Sequence, residues 1–449
     1  MRTISWGLRA IALAAAVVLA CGGCGGPKPT LPAPTASSAP SVEINGDASD
    51  PVNKIVMSAI SDIQGFWSDE FPKLYGHDYM PVKGGFYAVT PSSGQLPPCA
   101  QSLDDIAGNA FYCAKADDVA WDVAGLLPDL RKRFGDFVIP VVLAHEWGHA
   151  IQARANFTGE TVTKEIQADC FAGAWSAHAA KGNTFKPSAD DLDRALAGFL
   201  SLRDEPGTAK HDPRAHGSGF DRVNSFRTGF DNGAEACKSY KDGDPPVVEI
   251  PFNNAADAAS GGNAPYDDII TGVPVDLEDY WSQVYPELTG KPWTPLHPVE
   301  PFDPAQQPTC GGQSTSGYLL FYCVPEDYVG FDNTNAMPEI YTQGGDFAVA
   351  TLIATQYGLA VLNRDGQDPT DKNSSLRADC LAGAWAASIL LGNRPESNYH
   401  LSPGDLDKGV SALLIFRGSG DVQRQGQGSD RVDAYRDGVF NGAKACLAR

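Results

Sequence analysis

The run His145-Glu146-Trp147-Gly148-His149 holds the most specific chemistry in this sequence. On a helix, a spacing of four residues stacks two imidazoles on one face, so that both ligate one metal ion. The glutamate beside them then reaches a water at that metal as general base. A catalytic zinc takes three protein ligands and keeps one position open, so the third ligand must come from another element. Glu165 is the candidate, in Glu165-Ile166-Gln167-Ala168-Asp169. Asp169, four residues on, shares its helical face and is placed to accept a hydrogen bond from a ligand imidazole. Further along, His216 in Ala215-His216-Gly217-Ser218 is a candidate donor to the oxyanion of a tetrahedral intermediate.

These side chains need helices to carry them. Ile55, Val56, Ala59, Ile60, Ile63, Phe66 and Trp67 fall on one helical face and predict an opening helix. Short β-prone runs follow at Phe86 to Thr90, Ala110 to Cys113 and Val119 to Val123. The HExxH motif falls on a helix from Phe137 to about Ala153, with Asp136 as N-cap and Pro140 in the first turn, where its missing N–H costs nothing. Further helices are expected over about Thr163 to Ala180 and Asp190 to Leu202. The class is helix-rich α+β, with the strand near Val119 to Val123 expected to pair an extended peptide along its edge.

The chain also repeats itself. Phe111-Tyr112-Cys113 recurs as Phe321-Tyr322-Cys323, and Ala168-Asp169-Cys170 as Ala378-Asp379-Cys380. Ala172-Gly173-Ala174-Trp175 recurs as Ala382-Gly383-Ala384-Trp385, while Asp221-Arg222 returns as Asp430-Arg431. Two copies are expected, one that carries the HExxH motif over 51–242 and a degenerate one over 265–449, joined by a linker over 243–264. In the second copy His145 becomes Thr355, Glu146 becomes Gln356, His149 becomes Leu359, Glu165 becomes Ser375 and His216 becomes Gln425. Every proposed metal or base group is lost, whereas Asp169 persists as Asp379 and so has a structural task too, such as capping or anchoring a turn. The second copy then reads as a pseudo-enzyme domain that packs on the first or binds a protein partner.

The whole chain has 449 residues, 34 basic and 55 acidic, for a net charge of −21. Such a surface repels a phosphate backbone, so nucleic acid is not an expected partner. Arg2 and Arg9 precede the apolar stretch Ala10 to Ala20, which reads as a signal peptide over 1–20. A small-residue site directly before Cys21 resembles the bacterial lipobox, at which Cys21 takes a lipid. Simple cleavage of the signal is the alternative. Residues 21–50, rich in Pro, Ala, Ser and Thr, read as a flexible linker, and the mature protein is expected outside the cytoplasm, anchored to the cell membrane. With Cys21 and Cys24 set aside, eight of the ten cysteines remain. Their places in the repeat suggest Cys99 with Cys113, Cys170 with Cys237, Cys310 with Cys323 and Cys380 with Cys446.

The first copy resembles the bacterial putative neutral zinc metallopeptidase family, of the HExxH-plus-Glu zincin group. The pieces that carry the resemblance are Phe111-Tyr112-Cys113, His145 to His149 with Gln152, Glu165 to Gly173, and His216-Gly217-Ser218 followed by Arg222 and Cys237. The resemblance implies one zinc held by His145, His149 and Glu165, with Glu146 as base, in agreement with the spacing. The expected activity is zinc-dependent hydrolysis of peptide or protein substrates, as an endopeptidase. The alternative is a proteolytically inactive envelope lipoprotein that serves as a binding or scaffold module. A peptide map of the unreduced protein tests the cysteine pairing: four links, each inside one copy, are expected, and any link between copies overturns the scheme.

Overall fold

The computed structural model describes residues 42–241, 247–394, 397, 399–416 and 425–449. The signal segment and Cys21 lie outside the described residues. Helix α1, Pro51–Tyr75, begins where the Asp50 carboxylate accepts the amides of Val52 and Asn53, and it buries Val56, Ile60, Ile63 and Trp67 on one face. Next come β1 (Phe86–Val89), β2 (Ala110–Cys113) and β3 (Asp118–Asp122). They form a sheet in the order β1-β3-β2, with β3 parallel to β1 and antiparallel to β2. The expectation of a peptide-binding edge at 119–123 is therefore overturned. Both edges of β3 are occupied and all five of its residues are buried. Among the described residues β2 pairs only with β3, so the open edge belongs to β2.

Helices α2 (Leu126–Phe134), α3 (Val138–Arg154), α4 (Thr161–Lys181), α5 (Ala189–Leu200) and α6 (Gly219–Asn232) complete the first half. Asp136 does not cap α3. Its carboxylate accepts from Arg131 Nε at 2.8 Å, and the capping position falls to Phe137, with no side-chain bond. Helix α3 is apolar nearly all round, as a helix through the middle of a core must be. Helices α4 and α6 pack backbone to backbone: a Cβ on Gly173 would lie 1.9 Å from the Phe226 carbonyl oxygen. The repeated Ala-Gly-Ala-Trp run thereby acquires a physical reason. Its tryptophan, Trp175, donates to Asp62 on α1 at 3.0 Å.

After the short α7 (Ala255–Ala259), the second half starts with α8 (Tyr266–Thr289). Strands β4 (Glu300–Phe302), β5 (Thr309–Cys310), β6 (Gln313–Ser314), β7 (Leu320–Cys323) and β8 (Tyr328–Asp332) follow. The sheet order β4-β8-β7 has the same strand directions as β1-β3-β2. Helices α9 (Ala336–Gly344), α10 (Asp346–Arg364), α11 (Lys372–Leu390), α12 (Asp405–Ile415) and α13 (Gly428–Ala448) end the chain. Disulfides Cys99–Cys113 and Cys170–Cys237 lie in the first half, Cys310–Cys323 and Cys380–Cys446 in the second. The fold is helix-rich α+β, as the sequence pattern implied. No helix of the described residues is long and apolar enough to cross a membrane.

The halves meet where α5 and α6 face α12 and α13, and several polar contacts cross the junction. Arg227 pairs with Asp433, and Arg436 Nε donates to Asn224 Oδ1 at 2.8 Å. Nearby, buried Asp221 accepts from the Ser218 hydroxyl at 2.7 Å and from the Val248 amide at 3.0 Å. Burial pushes its carboxyl up to about 7, against the lowering effect of those two donors. A carboxyl raised in the folded state gives stability that is complete below its unfolded value and is lost as pH climbs through the folded one. Asp221→Asn should therefore gain stability relative to the natural protein between about pH 4 and about pH 7, by on the order of 4 kcal/mol at most. Urea unfolding at both ends of that window checks this, and a constant gap between the two proteins refutes it.

Candidate metal centre

Helix α3 presents His145, Glu146 and His149 to a cleft of about 630 Å³ whose wall includes β2 residues Ala110 to Tyr112, Phe157, Leu202 and His216. Helix α4 runs against α3 at Gly148, where an added Cβ would stand 2.6 Å from the Cα of Ala168. That approach brings the Glu165 carboxylate to 3.2 Å from His145 Nε2 and 3.4 Å from His149 Nε2. One donor atom from each of the three residues lies within 4.8 Å of the other two.

Both imidazoles are turned by their other nitrogen. His145 Nδ1 lies 2.7 Å from Asp169 Oδ1, and a carboxylate oxygen accepts, so Nδ1 carries a proton and Nε2 is turned toward Glu165. His149 Nδ1 lies 3.0 Å from Gln152 Oε1. The Gln152 amide is oriented in turn because its Nε2 donates to the Lys164 carbonyl at 2.6 Å. Two imidazole Nε2 atoms and a carboxylate thus converge on one point, a nitrogen-and-oxygen set that fits zinc with a position left open.

Asp169 is fully buried and takes a second partner. Arg222 Nε and Nη2 each donate to it at 3.0 Å, and Arg222 Nη1 donates to the Leu202 carbonyl at 2.6 Å. The guanidinium lies 4.4 Å from the Phe199 ring centroid, and Phe199 meets the His145 ring edge-on. The structural task of Asp169 is this ion pair rather than a cap or a turn. In the second half Asp379 and Arg431 repeat it at 2.8 and 3.0 Å. There Thr355 donates to the Leu352 carbonyl and Gln356 to Thr355, and no His-and-carboxylate cluster occurs around them among the described residues. The other two groups of close metal-binding side chains each contain a disulfide, whose sulfurs are already bonded.

With only protein groups around them, the four charges shift one another. Burial works against the His145 cation, but Asp169 and then Glu165 outweigh it and push the imidazole up to about 10. Burial likewise opposes the His149 cation, and Glu165 raises it. The Glu165 carboxyl is resisted by burial but held well below the usual range by His149 and His145. Glu146 is pushed up by burial, against the pull of His145 and His149. The Tyr112 amide of β2 donates to Glu146 Oε2 at 2.9 Å and holds it at the cleft floor. A raised carboxyl so placed is suited to taking and returning a proton. His216 is half exposed on the cleft wall, its Nδ1 3.1 Å from Asp204 Oδ1, and that contact raises it.

Arg222, Gln152, Phe199 and the Tyr112 amide are the working parts that sequence reasoning left without a role. One signal pointed to the arginine: Asp169 and Arg222 both recur, as Asp379 and Arg431, where the histidines do not.

Residues 17–240 match the family model described as "Putative neutral zinc metallopeptidase". Among curated proteins, "Uncharacterized protein YpfJ" of Escherichia coli (strain K12) is 26% identical over 226 residues, covering 44% of this chain and 74% of that protein. "Uncharacterized protein Rv2575" of Mycobacterium tuberculosis (strain H37Rv) is 28% identical over 171 residues, covering 31% of this chain and 57% of its own. No solved structure matches. Removing one member of a buried ion pair strands the other charge, so Asp169→Ala should cost about 3–5 kcal/mol in denaturant unfolding, and Asp379→Ala a comparable amount. A loss below about 1 kcal/mol at either position would refute the buried pair.

Proposed function

Residues 17–240 of this chain belong to the putative neutral zinc metallopeptidase family, and from that membership we propose that the protein is an envelope-anchored zinc peptidase cutting peptide bonds in the cleft above α3. The observation that carries this reading is the convergence of His145 Nε2, His149 Nε2 and the Glu165 carboxylate beside Glu146 in an open cleft. Zinc held by those three would polarise a scissile carbonyl and make a water acidic enough to attack it near neutral pH.

The chain's own groups do the rest. Glu146 takes the proton of the attacking water on its carboxylate and hands it to the leaving amine, while the Tyr112 N–H on Oε2 keeps that carboxylate aimed. His216, which Asp204 favours in its protonated form, donates to the oxyanion from the cleft wall. Asp169 and Gln152 keep the proton of each ligand imidazole on Nδ1. The open edge of β2 borders the cleft and offers main-chain groups to an extended peptide, which suits an endopeptidase.

The matching sheet orders, disulfides and Asp–Arg pairs support a duplicated architecture, with 51–242 as the catalytic domain and 265–449 as a copy that binds no metal. Four disulfides support folding outside the cytoplasm, and the site before Cys21 supports a lipid anchor there.

Elemental analysis of the purified protein tests the reading. About one zinc per chain is expected, lost in Glu165→Ala and in the double variant His145→Ala/His149→Ala. Glu146→Gln should keep the metal and lose roughly 100-fold or more in peptide cleavage. A folded natural protein without zinc that cannot be loaded with it would instead favour the inactive scaffold.

A further inference from the structure

Each half sends one buried aspartate into the other. Asp193 on α5 accepts the amides of Gly428 and Ser429, both at 2.7 Å, at the start of α13. In return Asp407 on α12 accepts the Phe220 amide at 2.7 Å and that of Gly219 at the start of α6. The first amides of a helix have no partner inside it and form its positive end, so a carboxylate there satisfies both needs. Glycine opens each helix where the neighbours come close: a Cβ on Gly219 would meet Leu200 Cδ1 at 2.3 Å as well as the carboxylate. A Cβ on Gly219 would lie 3.1 Å from Asp407 Cγ, and one on Gly428 3.1 Å from Asp193 Oδ2.

The two contacts differ in where they lead. Asp407 also pairs with Arg203, Oδ2 to Nε at 3.1 Å. Arg203 follows Leu202, whose carbonyl accepts Arg222 Nη1, and Phe220 lies two residues before Arg222 on α6. One carboxylate from the second half therefore fixes both the helix that carries Arg222 and the loop that receives it. Arg222 holds Asp169, and Asp169 holds His145 Nδ1. The same loop runs on to Asp204, which binds the His216 amide and ring. On the other side the path from Asp193 runs through α13 to Arg431 and Asp379, in the half where the described residues hold no His-and-carboxylate set.

We propose that Asp407 is a positioning residue for the metal centre of the first half, so that the copy without metal ligands completes the ligand orientation of the copy that has them. The proposal rests on the zinc reading above. It gives the second half a task that requires no ligand of its own.

The test uses the full chain, loaded with zinc and challenged with a chromogenic chelator, with thermal melts alongside. Asp407→Ala should lose zinc roughly tenfold faster than the natural protein, the lower end of what outer partners of metal ligands contribute. Asp407→Asn should fall between, because its amide oxygen still accepts from Phe220 but no longer neutralises Arg203. Asp193→Ala, which removes the equivalent cap at the same junction, should lower the melting temperature while zinc release stays within about twofold. Equal acceleration in Asp407→Ala and Asp193→Ala would mean general loosening and overturn the proposal, as would an unchanged Asp407→Ala. If Asp407→Ala does not fold, the same comparison is read on Asp407→Asn against Asp193→Ala. A natural protein that takes up no zinc would sink the peptidase reading and this one with it. Normal zinc binding with no effect of Asp407 would sink this one alone.

Discussion

The Asp169 carboxylate is the group on which the rest of the centre depends. It is fully buried, and an ionised carboxylate in that setting persists only if its oxygens are well supplied with donors. Arg222 supplies two N–H groups and a compensating charge, and His145 adds a third donor to Oδ1. A carboxylate has about four lone-pair sites, so the imidazole is served without displacing the guanidinium. In the second half the pair Asp379–Arg431 stands without an imidazole. The ion pair is thus a requirement of the helix packing itself. His145 uses an acceptor site that the packing leaves over, so one aspartate serves the helix packing and orients a candidate ligand imidazole together.

Small residues give that carboxylate its reach. Side chains act over a few ångström, so His145 and Glu165 meet only because Gly148 lets α4 approach α3 to within a Cβ contact. Gly173 does the same between α4 and α6, which brings Arg222 under Asp169. Gly358 and Gly383 make like approaches in the second half, so the same close spacing of three helices occurs there without the donors. Geometry and chemistry are carried by separate residues, and one can be lost while the other remains.

That separation also explains what could be read from the sequence. The i, i+4 histidines and the glutamate between them are local on one helix, and their periodicity was visible, as was the helix-rich α+β class. Glu165 required only that the next helix turn back, and the similar run in the second half, with Ser375 at the matching place, set it apart. What escaped were relations set by distant parts of the chain. Strand order is not encoded in β-propensity, so β3 gave no sign that β1 and β2 would enclose it. Asp136 had the type and position of a cap, but Arg131 competes for its carboxylate. Arg222 and Asp169 stand 53 residues apart, and Phe220 and Asp407 stand 187 apart. A single sequence does not show that such distant residues meet, and only the recurrence of Asp169 and Arg222 as Asp379 and Arg431 marked the first pair.

Directed bonds fix the register in which the two halves meet. Apolar surfaces tolerate sliding, because one methyl contact replaces another at little cost, whereas a buried carboxylate on two helix amides has one acceptable position. Asp193, Asp407 and the pairs Arg227–Asp433 and Arg436–Asn224 together define a single register. A shift of an ångström or two would leave buried charges and amides without partners, at roughly 1–3 kcal/mol for each such group. Three of these contacts lie on α6, the helix that carries Arg222. The position of the guanidinium, and through it of the first imidazole, is consequently set as much by residues from the far end of the chain as by the motif on α3.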